Sequence, residues 1–234
     1  MNFFDSSIVN FFQSFSRDSW VFDCTINFIS DNHIIKGGIL LILLWWGWFK
    51  VSDKQTYVRL HTICVFIACF IGIIIGRVMA LALPFRFRPM HDEALNFVLP
   101  YTVNPRLLDG WSSFPSDHAL LFFVLAAGVC YMSKRLGIVA IIYATVFIGL
   151  PRIYLGLHYP TDILGGAFVG LIIVLLCNIS FMVEKVAKPI LKGVDKCPEY
   201  FYPLFFLISY QIADMFDNSR SFLSYLKDVT EKLF

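Results

Sequence analysis

Charge is what this 234-residue chain has least of: Asp, Glu, Lys and Arg make up 15% of it, against 58% hydrophobic residues. A soluble domain with that balance would expose too much apolar surface, so the composition points to a multi-spanning membrane protein. The net charge of +2 is too small to imply nucleic acid as a partner. Paired cysteine spacings are absent as well. The cysteines stand at 24, 64, 69, 130, 177 and 197, and Cys64, Cys69, Cys130 and Cys177 lie inside apolar runs, where cysteine packs as a small hydrophobe. Neither a disulfide framework nor zinc is indicated. The start, Met1-Asn2-Phe3-Phe4-Asp5, lacks the basic region and small-residue cleavage site of a removable signal peptide. Internal repeats, low-complexity tracts and linkers are missing too, and a single domain over 1–234 is expected.

What is present is a series of long apolar runs. About 20 apolar residues cross the hydrocarbon core, and six runs qualify as candidates: 34–49, flanked by Lys36 and Lys50, then 60–83, 118–132, 136–154, 161–183 and 200–216. The fold class expected is therefore all-α, a multi-pass transmembrane helical bundle of about six spans. Gly165, Gly166 and Gly170 in the fifth run suit close helix packing. The sixth carries Pro203 and Asp214 and is the least regular. In the N-terminal segment 1–32, Phe4, Ile8, Phe11, Phe12 and Phe15 recur at helical spacing with Asp5, Ser7, Asn10 and Ser14 between them, the pattern of an amphipathic surface helix. Phe222, Leu226, Val229 and Leu233 suggest a similar tail over 217–234.

Alternating spans bring three polar segments to one membrane face: Arg86 and Arg88 after the second, His118 at the start of the third, and Arg152 to Asp162 between the fourth and fifth. The loops of the other face hold Lys50, Lys54, Arg59, Lys134, Arg135, Lys185, Lys188, Lys192 and Lys196. Excess Lys and Arg mark the cytoplasmic side, so the polar segments are expected to face outward, toward a periplasm or extracytoplasmic space, with a bacterial inner membrane as the location.

Proline favours the first position of a helix, so Pro115 is expected to start the third span. The amides that follow, with the Ser116 hydroxyl, form a candidate anion cradle, and His118 on the first turn can exchange a proton with its contents. Alone, these residues read equally as a polar cap. His158, before Pro160, lies four residues ahead of Asp162, a carboxylate able to accept a hydrogen bond from one imidazole nitrogen. Arg152 offers a planar fork of donors that matches phosphate oxygens. Alone, that segment reads equally as an interfacial arginine beside a cap.

Jointly the segments form an ordered set: Arg88-Pro89, Pro115-Ser116-x-His118, and Arg152-x5-His158-x3-Asp162. Over about 60–183 this resembles the type 2 phosphatidic acid phosphatase superfamily, which includes membrane lipid phosphatases and vanadium haloperoxidases. Its pattern is Lys-x6-Arg-Pro, Pro-Ser-Gly-His and Ser-Arg-x5-His-x3-Asp. The resemblance implies that His158 attacks phosphorus to form a phosphohistidine while Asp162 orients it. It implies that His118 protonates the leaving group and later activates water. Arg88, Arg152, Ser116 and backbone amides, that of Asp117 included, would bind the phosphate oxygens, and neither a metal nor any other cofactor is expected. The expected partners are a lipid phosphate substrate and the bilayer.

Three positions depart from the pattern. Asp117 replaces glycine, Pro151 replaces serine, and Leu81 stands at the lysine position. Arg77 lies one helical turn before Leu81, and an arginine within a span costs about 2.5–3.5 kcal/mol on insertion scales. Arg77, helped by Arg86, is the candidate replacement cation; a structural ion pair is the alternative. His91 and Asp92 are read as loop residues without a catalytic role. The function expected is hydrolysis of a lipid phosphate or diphosphate monoester, with a polyprenyl diphosphate, a phosphatidate-like lipid, phosphatidylglycerol phosphate and lipid A phosphate all open as substrates. The alternatives are phosphate transfer to another lipid and a non-enzymatic lipid-phosphate binder or transporter.

Overall fold

The computed structural model describes residues 2–219 together with Phe222, Tyr225 and Thr230, and every regular element among them is helical. Two short helices come first, α1 (Phe3–Gln13) and α2 (Trp20–Asp31), capped by the side chains of Asn2 and Ser19. The chain then bends by 59° at residues 32–33 and passes through a wide π-type turn, Ile34–Gly38, into α3 (Ile39–Phe49). Helix α4 (Gln55–Ala82) runs 28 residues, about 42 Å at the usual rise. A long loop leads to α5 (Asp117–Val129). Helix α6 (Lys134–Ala144) continues through a second π-type turn (Thr145–Gly149) into α7 (Leu150–Tyr154). Helix α8 (Pro160–Cys177) follows, then α9 (Ser180–Met182), α10 (Lys188–Lys196) and α11 (Pro198–Ala213).

Helix α5 is the centre of the bundle. Every residue from Ala119 to Val129 is buried, which is why its sequence is apolar all round instead of striped. Its closest partner is α8, and glycine makes that approach possible. A Cβ on Gly166 would lie 2.5 Å from the Ser116 carbonyl oxygen, and one on Gly170 would strike the Leu120 carbonyl. Outward-facing Ile74, Val78, Ile138, Val139, Phe168 and Leu175 are each more than half exposed, as lipid-facing side chains are.

Three helical stretches, Gln55–Ala82, Lys134–Tyr154 and Pro160–Cys177, are long and apolar enough to cross a membrane, and the bent pair Trp20–Asp31 plus Ile34–Phe49 makes up to four. The third expected span is the shorter apolar helix α5, of 13 residues, and the expected run 200–216 corresponds to the 16-residue α11. The expected tail 217–234 lies largely outside the described residues; of its apolar positions, Phe222 is described and is exposed.

The N-terminal helix has a polar residue on its inner side. Asp5 and Val9 are fully buried against the protein, while Phe3, Phe4, Phe11 and Phe15 point away from it. The helix thus docks through Asp5 together with Val9, Ile8 and Phe12, and leaves its other phenylalanines exposed. Trp20–Asp31 likewise turns Asp23 inward, where it accepts from the Tyr154 hydroxyl and, at 2.9 Å, from the Tyr101 amide.

Candidate active site

The polar segments converge at one end of the bundle. At the other end His61 of α4 stacks on Tyr131 and meets Asn178 at 2.7 Å, which gathers the loops after α5 and α8 there. The two ends are separated by the length of α4.

Pro160 begins α8, Tyr159 caps it, and Asp162 occupies the third helical position, where it completes a capping box by accepting from the Tyr159 amide at 2.8 Å. Asp162 is fully buried, and it also accepts from Ser113 Oγ and from Arg86 Nη1, each at 2.5 Å. It stands 3.9 Å from His158 Nδ1, too far for the direct hydrogen bond that the spacing suggests. The imidazole is held instead by the Ser113 carbonyl, 2.8 Å from Nδ1. A carbonyl only accepts, so Nδ1 carries the proton. On the other side Nε2 lies 3.2 Å from Arg88 Nη1, which only donates, so Nε2 presents its lone pair. Burial first, then the positive charges of Arg88 and Arg152, hold this imidazole well below its ordinary pKa, so it is neutral near pH 7.

Arg88 is fixed by its surroundings. Its Nε donates to the Trp111 carbonyl, Nη1 to that of Leu157 at 2.7 Å, and Nη2 to that of Ser112. Burial pushes it down to about 10, which leaves it charged at neutral pH. Arg152 presents the opposite case. It is 5% exposed, and its guanidinium makes no hydrogen bond or ion pair among the described residues; its Nε is buried without a partner. Tyr154, bound to Asp23, anchors the same short helix.

Arg77, Arg88, Asp117, His118, Arg152 and His158 all line one cavity of about 800 Å³. The remaining expected residues stand behind its wall. Ser116, fully buried, caps α5 by accepting from the Ala119 amide at 3.3 Å, so its hydroxyl serves the helix and not the cavity. Pro115 is not the first helical residue: it precedes that cap, after a cis peptide bond. Arg86 is turned away and bridges two carboxylates, Asp162 at 2.5 Å and Asp5 at 2.6 Å, with its guanidinium over the Tyr159 ring. Asp5 also accepts from the Thr161 amide and hydroxyl. Arg77 reaches the cavity with its guanidinium 3.8 Å from the centre of the Trp111 ring, and Leu81 beside it is 76% exposed.

Three contributors escaped sequence reasoning. Ser113 sits just before the Pro-Ser-x-His segment and looks like loop. Asp5 hides in an amphipathic pattern whose exposed face is the apolar one. Lys36, read as a flank of the first span, is 4% exposed and lines the cavity; a lysine at the edge of an apolar run was the signal available.

Residues 80–184 match the family model described as the PAP2 superfamily. The chain carries a PAP2 superfamily domain. Among its relatives, a protein of Bacillus subtilis (strain 168) named undecaprenyl-diphosphatase BcrC is 25% identical over 158 residues, covering 68% of this chain and 74% of the relative. Another from the same organism, named phosphatidylglycerophosphatase B, is 35% identical over 102 residues, 36% of this chain and 50% of its own. The fold matches the crystal structure of a transmembrane PAP2 type phosphatidylglycerolphosphate phosphatase from Bacillus subtilis with a TM-score of 0.51 at 22% identity, over 78% of this chain and 85% of that one. The PAP2 domain thus sits in an integral membrane protein, and the two relatives just described are phosphatases by name.

Proposed function

We propose that this PAP2 chain works as one membrane-embedded domain that hydrolyses a lipid phosphate or diphosphate monoester without a metal, through a phosphohistidine on His158. The observation that carries the proposal is the pairing, in one cavity, of a neutral imidazole presenting Nε2 with a buried arginine that has no hydrogen-bond or ion-pair partner among the described residues. A buried guanidinium without a counter-ion is costly, and a phosphate group supplies that counter-ion.

In the first step the Nε2 lone pair forms the N–P bond as the P–O bond to the lipid breaks, and His118 gives its proton to the departing oxygen. In the second, water loses a proton to His118 and attacks phosphorus; the N–P bond breaks and phosphate leaves. Arg88, Arg152, Arg77 and the Asp117 amide neutralise the charge that grows on the phosphoryl oxygens. Asp162 acts at one remove: it holds Ser113, whose carbonyl fixes the imidazole. The exposed Leu81 on the cavity wall offers an apolar exit along which lipid tails stay in the bilayer. The basic loops belong to the other end of the bundle, which supports a site on the extracytoplasmic side.

Phosphate release from a panel of lipid mono- and diphosphates by the purified protein in detergent tests the proposal. His158→Ala is expected to abolish release, with a ³²P-labelled lipid leaving acid-labile label on the wild-type protein. Release at the wild-type rate from His158→Ala refutes the phosphohistidine route.

A further inference from the structure

Lys36 is a buried ammonium with an unusual setting. It is 4% exposed, lines the cavity, and makes no hydrogen bond or ion pair through Nζ among the described residues. Burying such a group without a counter-ion is expensive. Arg152, whose Nε is buried without a partner among the described residues, lines the same cavity, so two cations share it. Asp31, Asp117 and Asp217 line the same cavity, and Asp214 meets His33 at 3.3 Å.

The backbone holds Lys36 in this place. It lies on the π-type turn that follows the 59° bend, the kind of helix irregularity that recurs at functional sites. Gly37 presses the turn against α11: a Cβ there would stand 2.8 Å from the Ala213 Cα. The second π-type turn, Thr145–Gly149, lies shortly before Arg152. One such turn thus holds Lys36 and another comes shortly before Arg152, while a third, Val183–Ala187, holds neither.

The packing also has a direction. Gly37, next to Lys36, lies against α5, where a Cβ would stand 2.9 Å from Phe122 Cε1, and the Phe122 ring meets the His118 imidazole edge-on with centroids 6.0 Å apart. Lys36 thus belongs to the proton-donor side of the cavity, where the leaving group departs, and not to the nucleophile side. In-line displacement on a diphosphate places the second phosphate on that side.

We propose that Lys36 binds the second phosphate of a diphosphate monoester and makes the site selective for diphosphate over monophosphate lipids. This rests on the phosphatase reading given above. When the lipid is a diphosphate, the bond that breaks leaves a lipid monophosphate, and the charge gathering on it faces the Lys36 ammonium. A lipid monophosphate leaves an alkoxide instead, which has no second phosphate to occupy that position. Lys36 thereby adds, from the first bent helix pair, a cation to those that Arg77, Arg88 and Arg152 bring to the cavity.

The test is the ratio of kcat/KM for a lipid diphosphate to that for its matched monophosphate. A charge-assisted contact of this kind changes the ratio about 10- to 100-fold, so Lys36→Met is expected to lower it by at least about tenfold, and Lys36→Arg to keep it within about threefold. In the wild-type protein, pyrophosphate is expected to compete at least about tenfold better than orthophosphate, which needs no variant to fold. An unmoved ratio in Lys36→Met, or equal inhibition by the two anions in the wild type, overturns the proposal. Absence of turnover on every lipid phosphate overturns the phosphatase reading together with it, while turnover with an unmoved ratio overturns the Lys36 role alone.

Discussion

Arg86 offers the clearest contest between two roles, phosphate ligand or bridge between buried carboxylates. Its guanidinium is 29% exposed, and Asp5 and Asp162 are both fully buried. Arg86→Met removes one charge-assisted hydrogen bond from each, at roughly 1.5–3 kcal/mol apiece. Each carboxylate keeps other donors, Thr161 for Asp5 and Ser113 with the Tyr159 amide for Asp162. The loss therefore falls near the lower end of the sum, about 3 kcal/mol, in line with breaking one side of a buried pair. At roughly 2–4 °C per kcal/mol for a chain of this size, the melting temperature in detergent drops about 6–12 °C. Adding Asp5→Asn relieves one of the stranded charges, so the double variant is more stable than the sum of the single effects by about 1 kcal/mol or more. Catalysis falls too, because Asp162 loses its fixed position, yet the inhibition constant for inorganic phosphate stays within about twofold. A phosphate constant weakened tenfold, with the melting temperature unchanged, refutes the bridge and restores Arg86 as a ligand.

Other consequences can be measured separately. Because the His158 pKa is lowered, its neutral form persists as the pH falls below the ordinary imidazole value of about 6.5; ¹⁵N NMR of labelled histidine is expected to show a neutral, Nδ1-protonated ring at pH 6, and an imidazolium there contradicts the assignment. Arg77→Met is expected to cut kcat/KM about tenfold or more with little change in melting temperature, since its charge lines the cavity and its contact is an aromatic face; full activity ends its role as replacement cation. Gly166→Ala is expected to cost several kcal/mol or prevent folding, read as lost monodisperse protein, because the added methyl meets backbone rather than a side chain that can move. Normal yield and stability for that variant contradict the tight α5–α8 contact.

The bundle was legible because burial in lipid leaves a strong signature: long apolar runs mark α4, the α6–α7 stretch and α8 directly. Helix α5 was legible by its motif more than by its length, since it is only 13 residues long. His158, His118, Arg88 and Arg152 were readable because their spacings form a set no packing requirement explains. What spacing could not show is who holds whom. Asp162 lies four residues after His158, yet the cap geometry of α8 gives its oxygens to Tyr159, Ser113 and Arg86. Asp5 and Lys36 were illegible for a related reason. Each sits in a segment whose local pattern predicts a surface helix or a span edge, and each acquires its role from parts of the chain distant in sequence.

The contact between Asp5 and Thr161 joins residues 156 positions apart. During synthesis the first helix is made long before the start of α8 leaves the ribosome, so of its partners Asp5 can meet Arg86 first and Thr161 only at the end. The imidazole clamp can close only after both ends of this stretch are inserted. A growing chain therefore carries His118 and its arginines while still unable to set the nucleophile, and its chemistry switches on as a final act of assembly. For the same reason, removing or displacing the first dozen residues is expected to disarm a site whose reacting groups lie more than a hundred residues downstream.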